Sequence, residues 1–374
     1  MTHDPVLDRA RPVRRRSPME EKLGWFGPIY YWMSKNLFSS FWNSVVSLIC
    51  IFILYKIVPF IVDWALLSSM WFAETGEDCR EATGACWAVI PVKYRVMFFG
   101  VYPYEEHWRP VLAIGLYALA VAITCTHRFW RLKLLLVVWA VTLAIFLMLM
   151  WGGIFGLEFV PTTQWGGLPL TFLIFSSSMF LGMPIAIALA LGRQSKMPVI
   201  RILSVFTIEL TRTIPLPMIL FFAAIILPLF LPQGMEIDQL LRVALGIAFY
   251  FGCFQAEVLR GGFQAVPKGQ YEAADAIGLP YWKKTFKIIL PQVFRITIPS
   301  VMNGVIAGFK DTTMVIIVGL FDLLTATQAV VSDPEWRRYF TEAYLFVALV
   351  YFLFTFAMSK YSQYLERLFS FGRR

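Results

Sequence analysis

The stretch Glu257-Val-Leu-Arg260-Gly-Gly-Phe-Gln-Ala-Val-Pro267-Lys-Gly269-Gln-Tyr-Glu272-Ala-Ala-Asp-Ala-Ile-Gly278-Leu-Pro-Tyr-Trp-Lys-Lys-Thr-Phe-Lys-Ile288-Ile-Leu290-Pro291 separates two long apolar runs. Its punctuation is that of ordered structure. Pro267 stands where a helix can begin, because a missing N–H costs nothing in a first turn. Glu272 and Asp275 fall in the first turns, where negative charge meets the positive end of the helix dipole. Gly278 is placed to stop that helix in a left-handed C-cap, and Pro280 opens a second segment. From Tyr281 to Leu290, Trp282, Phe286 and Ile289 share one face while Lys283, Lys284 and Lys287 lie near the other, an amphipathic pattern. The expectation is two short helices at an angle, lying in water between two spanning helices.

Outward from this segment the chain is apolar. About 20 residues at a rise of about 1.5 Å cross a hydrocarbon core of about 30 Å. Eight runs qualify, near Phe41–Phe60, Pro110–Thr126, Leu134–Trp151, Leu170–Leu191, Pro217–Leu231, Leu241–Glu257, Ile296–Leu320 and Tyr344–Met358. The composition agrees, with 58% hydrophobic and 15% charged residues, where a soluble domain carries about a quarter charged. The expected fold is an all-α, polytopic transmembrane helix bundle. A net charge of +9 then concerns placement relative to the spans, and nucleic acid is not an expected partner.

That placement orients the chain. Arg9, Arg11, Arg14, Arg15, Arg16, Lys22 and Lys35 precede the first run; Arg128, Arg131 and Lys133 follow the second, and Arg193, Lys196 and Arg201 the fourth. Basic segments stay on the cytoplasmic side. With eight spans, the C-terminal Arg373–Arg374 and the segment from Arg260 to Arg295 also fall inside, and Ala73–His107, rich in Glu and Asp, becomes the largest external loop. Both termini are therefore expected in the cytoplasm of a cell whose inner, plasma membrane holds the chain. No cleavable signal is expected, since polar residues follow the basic N-terminus.

Residues 1–37 read as a cytoplasmic tail, 38–153 as a three-helix extension with external loop 73–107, and 165–367 as a core whose helices are richer in Gly, Ser, Thr and Pro. Small residues permit close packing, and prolines break helices around a pathway. Cys50, Cys125 and Cys253 lie in apolar runs as small hydrophobes. Cys79 and Cys86 share the external loop, where they are either paired in an oxidising compartment or two reduced surface thiols. No metal site is expected from the three scattered His.

Glu272-Ala273-Ala274, then Gly278, Ile288 and Leu290-Pro291, resembles the EAA loop of binding-protein-dependent ABC importer permeases, complete at those positions. Glu257-Val-Leu-Arg-Gly-Gly, Ala265-Val-Pro-Lys-Gly and Lys310-Asp311-Thr312 resemble the polar and general amino acid group, as do Trp165-Gly-Gly-Leu, Leu189-Ala-Leu-Gly-Arg-Gln-Ser and Ile208-Glu-Leu-Thr-Arg212. The likeness runs from about Trp165 to Arg367. Three extra helices ahead of a five-helix core resemble the membrane subunits of general L-amino acid importers. One departure is Arg212-Thr213-Ile214-Pro215, where the group has Arg-Gly before Pro. The resemblance implies a permease with separate ATPase subunits on the EAA segment 257–292, a second related permease, a periplasmic amino-acid-binding protein and an amino-acid substrate. ATP and Mg would sit on the ATPase.

The residues support that division of labour. The nearest approach to a phosphate-cradling loop is Gly278-Leu-Pro-Tyr-Trp-Lys283-Lys284-Thr285, which lacks the second Gly and holds a Pro and a Trp. This chain is expected to be a transport subunit and not an enzyme, with neither catalytic residue nor cofactor. The competing class, an ion-coupled secondary transporter, needs intramembrane acids, and only Asp311, beside Lys310, lies well inside a run. Asp311, with Lys310, Thr312 and Thr313, either meets the charged backbone of a zwitterionic substrate or forms a structural ion pair. Glu209 and Arg212 mark a surface helix before the fifth span, either a gate or elbow or simply a helix entering the membrane with a surface ion pair.

Overall fold

The computed structural model describes residues 26–370. The N-terminal arginines, Lys22 and Arg373–Arg374 lie outside the described residues. The chain divides into two compact units, Met1–Met70 with Glu81–Ala85, and Trp71–Arg80 with Cys86–Arg374.

The first unit holds α1 (Gly27–Asn36) and α2 (Phe41–Val62). The Ser40 side chain accepts from the Asn43 N–H and caps α2, satisfying one of the orphan donors of a helix start. No α2 residue is buried. A helix apolar all round is built for a hydrocarbon solvent.

The second unit is helical almost throughout. Its elements are α3 (Val89–Phe99), α4 (Trp108–Cys125), α5 (Leu132–Trp151), α6 (Gly167–Arg193), α7 (Pro198–Thr213), α8 (Leu216–Phe221), α9 (Gln239–Ala265), α10 (Lys268–Ala276), α11 (Tyr281–Lys284), α12 (Leu290–Asp311), α13 (Leu323–Ser332) and α14 (Phe340–Ser370). Over the described residues, seven helices are long and apolar enough to cross a membrane, and eight if a bent pair counts as one span. That pair is Pro198–Thr213 with Leu216–Phe230, bent by 107°. Ile214 and Pro215 are both extended there, Ile214 because a residue before proline is driven to be.

Helices α6 and α9 form the packing axis. The position of a Cβ on Gly182 would lie 2.7 Å from the Ala248 carbonyl oxygen, so only glycine allows the backbones so close. Three apolar clusters stack on these helices. One gathers Phe146, Trp165, Leu220 and Val318, a second Tyr117, Phe175, Phe309 and Val347, and a third Ala190, Ile208, Leu259 and Ile289. Behind the first, Gly166 and Gly167 bridge in parallel to Phe321 and Asp322.

Residues 73–107 are more than a loop. They contain α3, which packs against α13. Cys79 and Cys86 are joined by a disulfide with Cα atoms 5.9 Å apart. The Cys86 N–H donates to buried Glu342, Gly76 N–H to Glu335, and the Tyr339 hydroxyl to the Gly76 carbonyl. Lys93 pairs with Asp333 at 3.2 Å. The backbone N–H of Glu335 and then Lys93 hold the Asp333 carboxyl below its usual range.

Candidate functional site

Helix α10 begins at Pro267, which is its N-cap, and ends in a Schellman turn. Leu279 N–H donates to Ala274 C=O at 3.2 Å and Gly278 N–H to Asp275 C=O at 2.9 Å, with Gly278 at φ +70°. Glu272 lies in the second turn and Asp275 at the end, with no acid in the first turn. Asp275 instead takes an ion pair from Lys284 across the turn, which holds α10 against α11. Tyr271 donates to the Phe263 carbonyl at 3.1 Å, tying α10 to the end of α9, and burial pushes its phenol up.

The second segment is not a separate short helix. After Lys284 the chain makes one wide turn, Thr285–Ile289, and runs on as α12, giving a continuous helix Tyr281–Val318. Prolines explain the difference from the expectation. Pro291 falls in the first turn of α12, where its missing N–H coincides with the widened turn and breaks nothing.

The EAA residues divide by direction. Ala274 and Leu290 are buried, and Ile288 packs on the same cluster as Ile289 and Val293. Glu272, Ala273, Gly278 and Pro291 are exposed. Around them stand Ile277, Tyr281, Trp282 and Phe286, exposed by 71%, 52%, 62% and 49%. Exposed aromatic side chains clustered in this way are of the kind enriched at protein interfaces.

A second site lies inside the bundle. A cavity of about 170 Å³ opens between α6, α9 and α12, lined by Ser178, Tyr250, Phe251, Phe254, Gln255, Gly304 and Asp311 among others. Gln255 is 1% exposed and its Oε1 lacks a partner. Its Nε2 occupies the space that a Cβ on residue 304 would need, so Gly304 makes room for the amide. Of Lys310, Asp311, Thr312 and Thr313, only Asp311 lines the cavity. Thr312 is fully buried and donates to Phe309 C=O, Thr313 donates to Lys310 C=O, and Lys310 is exposed. Among the described residues, no ion pair joins Lys310 to Asp311. Neighbours in a helix point about 100° apart. Gln255 and Tyr250 are not evident from sequence, because a Gln and a Tyr in an apolar run carry no charge to mark them.

The third site is at the bend. Arg193 at the end of α6 reaches Glu209 on α7 at 2.9 Å and Glu257 on α9 at 3.1 Å, and Arg260 holds Glu257 at 2.6 Å. Arg212 lies outside that network, its guanidinium 5.7 Å from the Phe254 ring centre. Charge spacing in the sequence hides the network, since its members come from three helices.

Among known proteins, the family described as "binding-protein-dependent transport system inner membrane component" matches residues 182–370. An inner membrane amino-acid ABC transporter permease protein of Escherichia coli K12, YhdY, is 45% identical over 349 residues, covering 91% of this chain and 93% of that protein. The glutamate/glutamine/aspartate/asparagine transport system permease protein BztC of Rhodobacter capsulatus is 37% identical, covering 90% and 92%. A solved amino acid ABC transporter chain shares 27% identity over 54% of this chain and 91% of its own, at a TM-score of 0.48.

Proposed function

The chain belongs to the binding-protein-dependent transport system inner membrane components, and from that membership we propose how its parts divide the work of amino-acid import. It is the permease subunit of an amino-acid ABC transporter, a transport subunit whose ATPase is a separate chain. An ion-coupled secondary transporter is not favoured.

The observation that carries the reading is the exposed face around Glu272 and Ala273, braced by the Schellman turn at Gly278. Segment 257–292 docks the ATPase there. Glu272 makes a charge-assisted hydrogen bond to a basic group of the partner, Ala273 keeps the surface slim, and Tyr281 and Trp282 supply apolar area. Ala274, Ile288 and Leu290 act from beneath by packing the segment onto α9, while Pro291 starts the span that continues from it. ATP and Mg belong to the partner.

Core 165–367 carries the translocation path. The cavity offers Asp311 to the ammonium of an amino acid, and Gln255 with Ser178 as uncharged hydrogen-bonding groups, in a site small enough for one amino-acid backbone. Lys310, Thr312 and Thr313 support the end of α12 without facing the cavity. Glu209, held by Arg193, is the elbow contact, while Arg212 packs on Phe254 beside the cavity. A second related permease completes the path, and a periplasmic binding protein delivers substrate to the side that carries 73–107. Both termini are cytoplasmic in the inner membrane, and extension 38–153 precedes the core.

Reconstitution tests the reading. The assembled complex with Glu272→Lys is expected to remain in the membrane but to lose ATPase-subunit association and transport. Asp311→Asn is expected to keep assembly and ATPase association while transport falls. Normal association and transport for Glu272→Lys would remove the docking assignment. Transport driven by an ion gradient without ATP would overturn the class.

A further inference from the structure

At the bend, a pocket of about 460 Å³ opens between the ends of α6 and α9 and the start of α7, lined by Arg193, Gln194, Arg201, Arg260 and Gln264 with Val205 and Phe263 at its wall. Three guanidiniums converge here. Two are largely neutralised, because Arg193 and Arg260 share Glu209 and Glu257. Arg201 is exposed and has no side-chain hydrogen bond or ion pair among the described residues. Of the three positive charges in the lining, only that of Arg201 is unpaired, and two amide side chains stand beside it as neutral donors.

The helix that carries Arg201 has a second property. On α7, Val199, Ile202 and Phe206 are exposed by 65%, 65% and 61%. A helix with this apolar face, bent away from the following span by 107°, is suited to lie along a bilayer surface. The pocket therefore opens at headgroup depth, with apolar side chains positioned for the acyl chains of whatever fills it.

We propose that this pocket is a binding site for an anionic phospholipid, whose phosphodiester is held by Arg201 together with Arg193 and Arg260. A phosphodiester carries a single negative charge and matches the one unpaired guanidinium, that of Arg201. Guanidinium forks suit phosphate oxygens in bidentate contacts, and basic pockets between membrane helices favour such headgroups. The bound lipid would span α6, α7 and α9, joining Arg201 to the ion-pair network of Arg193 and Arg260 and so fastening the elbow to the core.

The test uses the assembled transporter purified in detergent and titrated with short-chain phosphatidylglycerol, with phosphatidylcholine and with inorganic phosphate, following thermal stabilisation. Phosphatidylglycerol is expected to stabilise the wild type at concentrations where phosphatidylcholine does not. Arg201→Gln is expected to weaken that effect about fivefold, as one arginine near a membrane surface contributes. Arg128→Gln, at another exposed arginine outside the pocket, is the control and is expected to change nothing. Equal weakening by both variants would reduce the effect to general surface charge and overturn the site. An unchanged titration for Arg201→Gln would overturn it too, and if that variant instead lost its ATPase subunit, the pocket would belong to a protein contact. Inorganic phosphate stabilising as well as phosphatidylglycerol would overturn the lipid as occupant.

Discussion

Gly278 sits at φ +70° with nothing within 4 Å of where a side chain would start. Replacing it therefore meets backbone strain and no clash. A non-glycine residue in this conformation costs about 1–2 kcal/mol, least for asparagine, which visits it readily. Gly278→Asn is expected to retain ATPase association in a pull-down from membranes. Gly278→Val is expected to open the Schellman turn and weaken association several-fold. Equal behaviour of the two would show that conformation at this residue does not matter. The role of this glycine is legible in the sequence, because Gly after Asp-Ala-Ile with Pro280 two residues on is a stop signal of chain chemistry alone. That of Gln255 is not, since its meaning depends on α12 arriving opposite it with a glycine at 304.

At the scale of elements, the helix α7 is fastened by Arg193, whose guanidinium serves Glu209 and Glu257 together. Arg193→Gln leaves the half-buried Glu257 with Arg260 alone. The expected loss is about 1 kcal/mol, since the Arg193–Glu209 hydrogen bond is partly exposed and Glu257 keeps Arg260. Hydrogen exchange should show it as faster exchange across Pro198–Thr213 with little change in α10, and uniform acceleration would refute a local role. The clip on 73–107 behaves differently. Asp333 is held ionised below its usual range, so its contribution is complete above the ordinary carboxylate pKa and is lost as pH falls through the lowered value. Proteolysis of this segment is expected to rise on acidification in the wild type, and Asp333→Asn should be equally sensitive at neutral pH. Reduction of the eight-residue loop closed by Cys79 and Cys86 should add to it, since a loop of this size contributes about 2–3 kcal/mol. Period and punctuation foretell the bend after α7, where Pro215 follows an amphipathic run. They are silent on α3, because this short helix gains its order from Asp333, which pairs with Lys93, and from packing on α13 far along the chain.

At the scale of the whole molecule, apolar length and basic residues make the spans legible, and the topology they imply is open to direct measurement. Single cysteines labelled from outside intact cells are expected to react within 73–107 and to be silent within 268–287, and the reverse pattern would invert the chain. What sequence could not supply is the continuity of the segment from Tyr281 with its span. Pro280 and Pro291 read as two boundaries, and only the wide turn at Thr285–Ile289 reconciles the second with an unbroken helix.

That continuity is mechanical. The exposed Trp282 and Asp311 at the cavity ride the same beam, 29 residues apart in sequence, or roughly 44 Å at about 1.5 Å per residue. Pivoted near its middle, such a beam trades a few ångströms of displacement at one tip for a comparable, opposite swing at the other, the wide turn at Thr285–Ile289 and Pro299 being the points at which it can bend. Motion of the ATPase would reach the cavity as leverage.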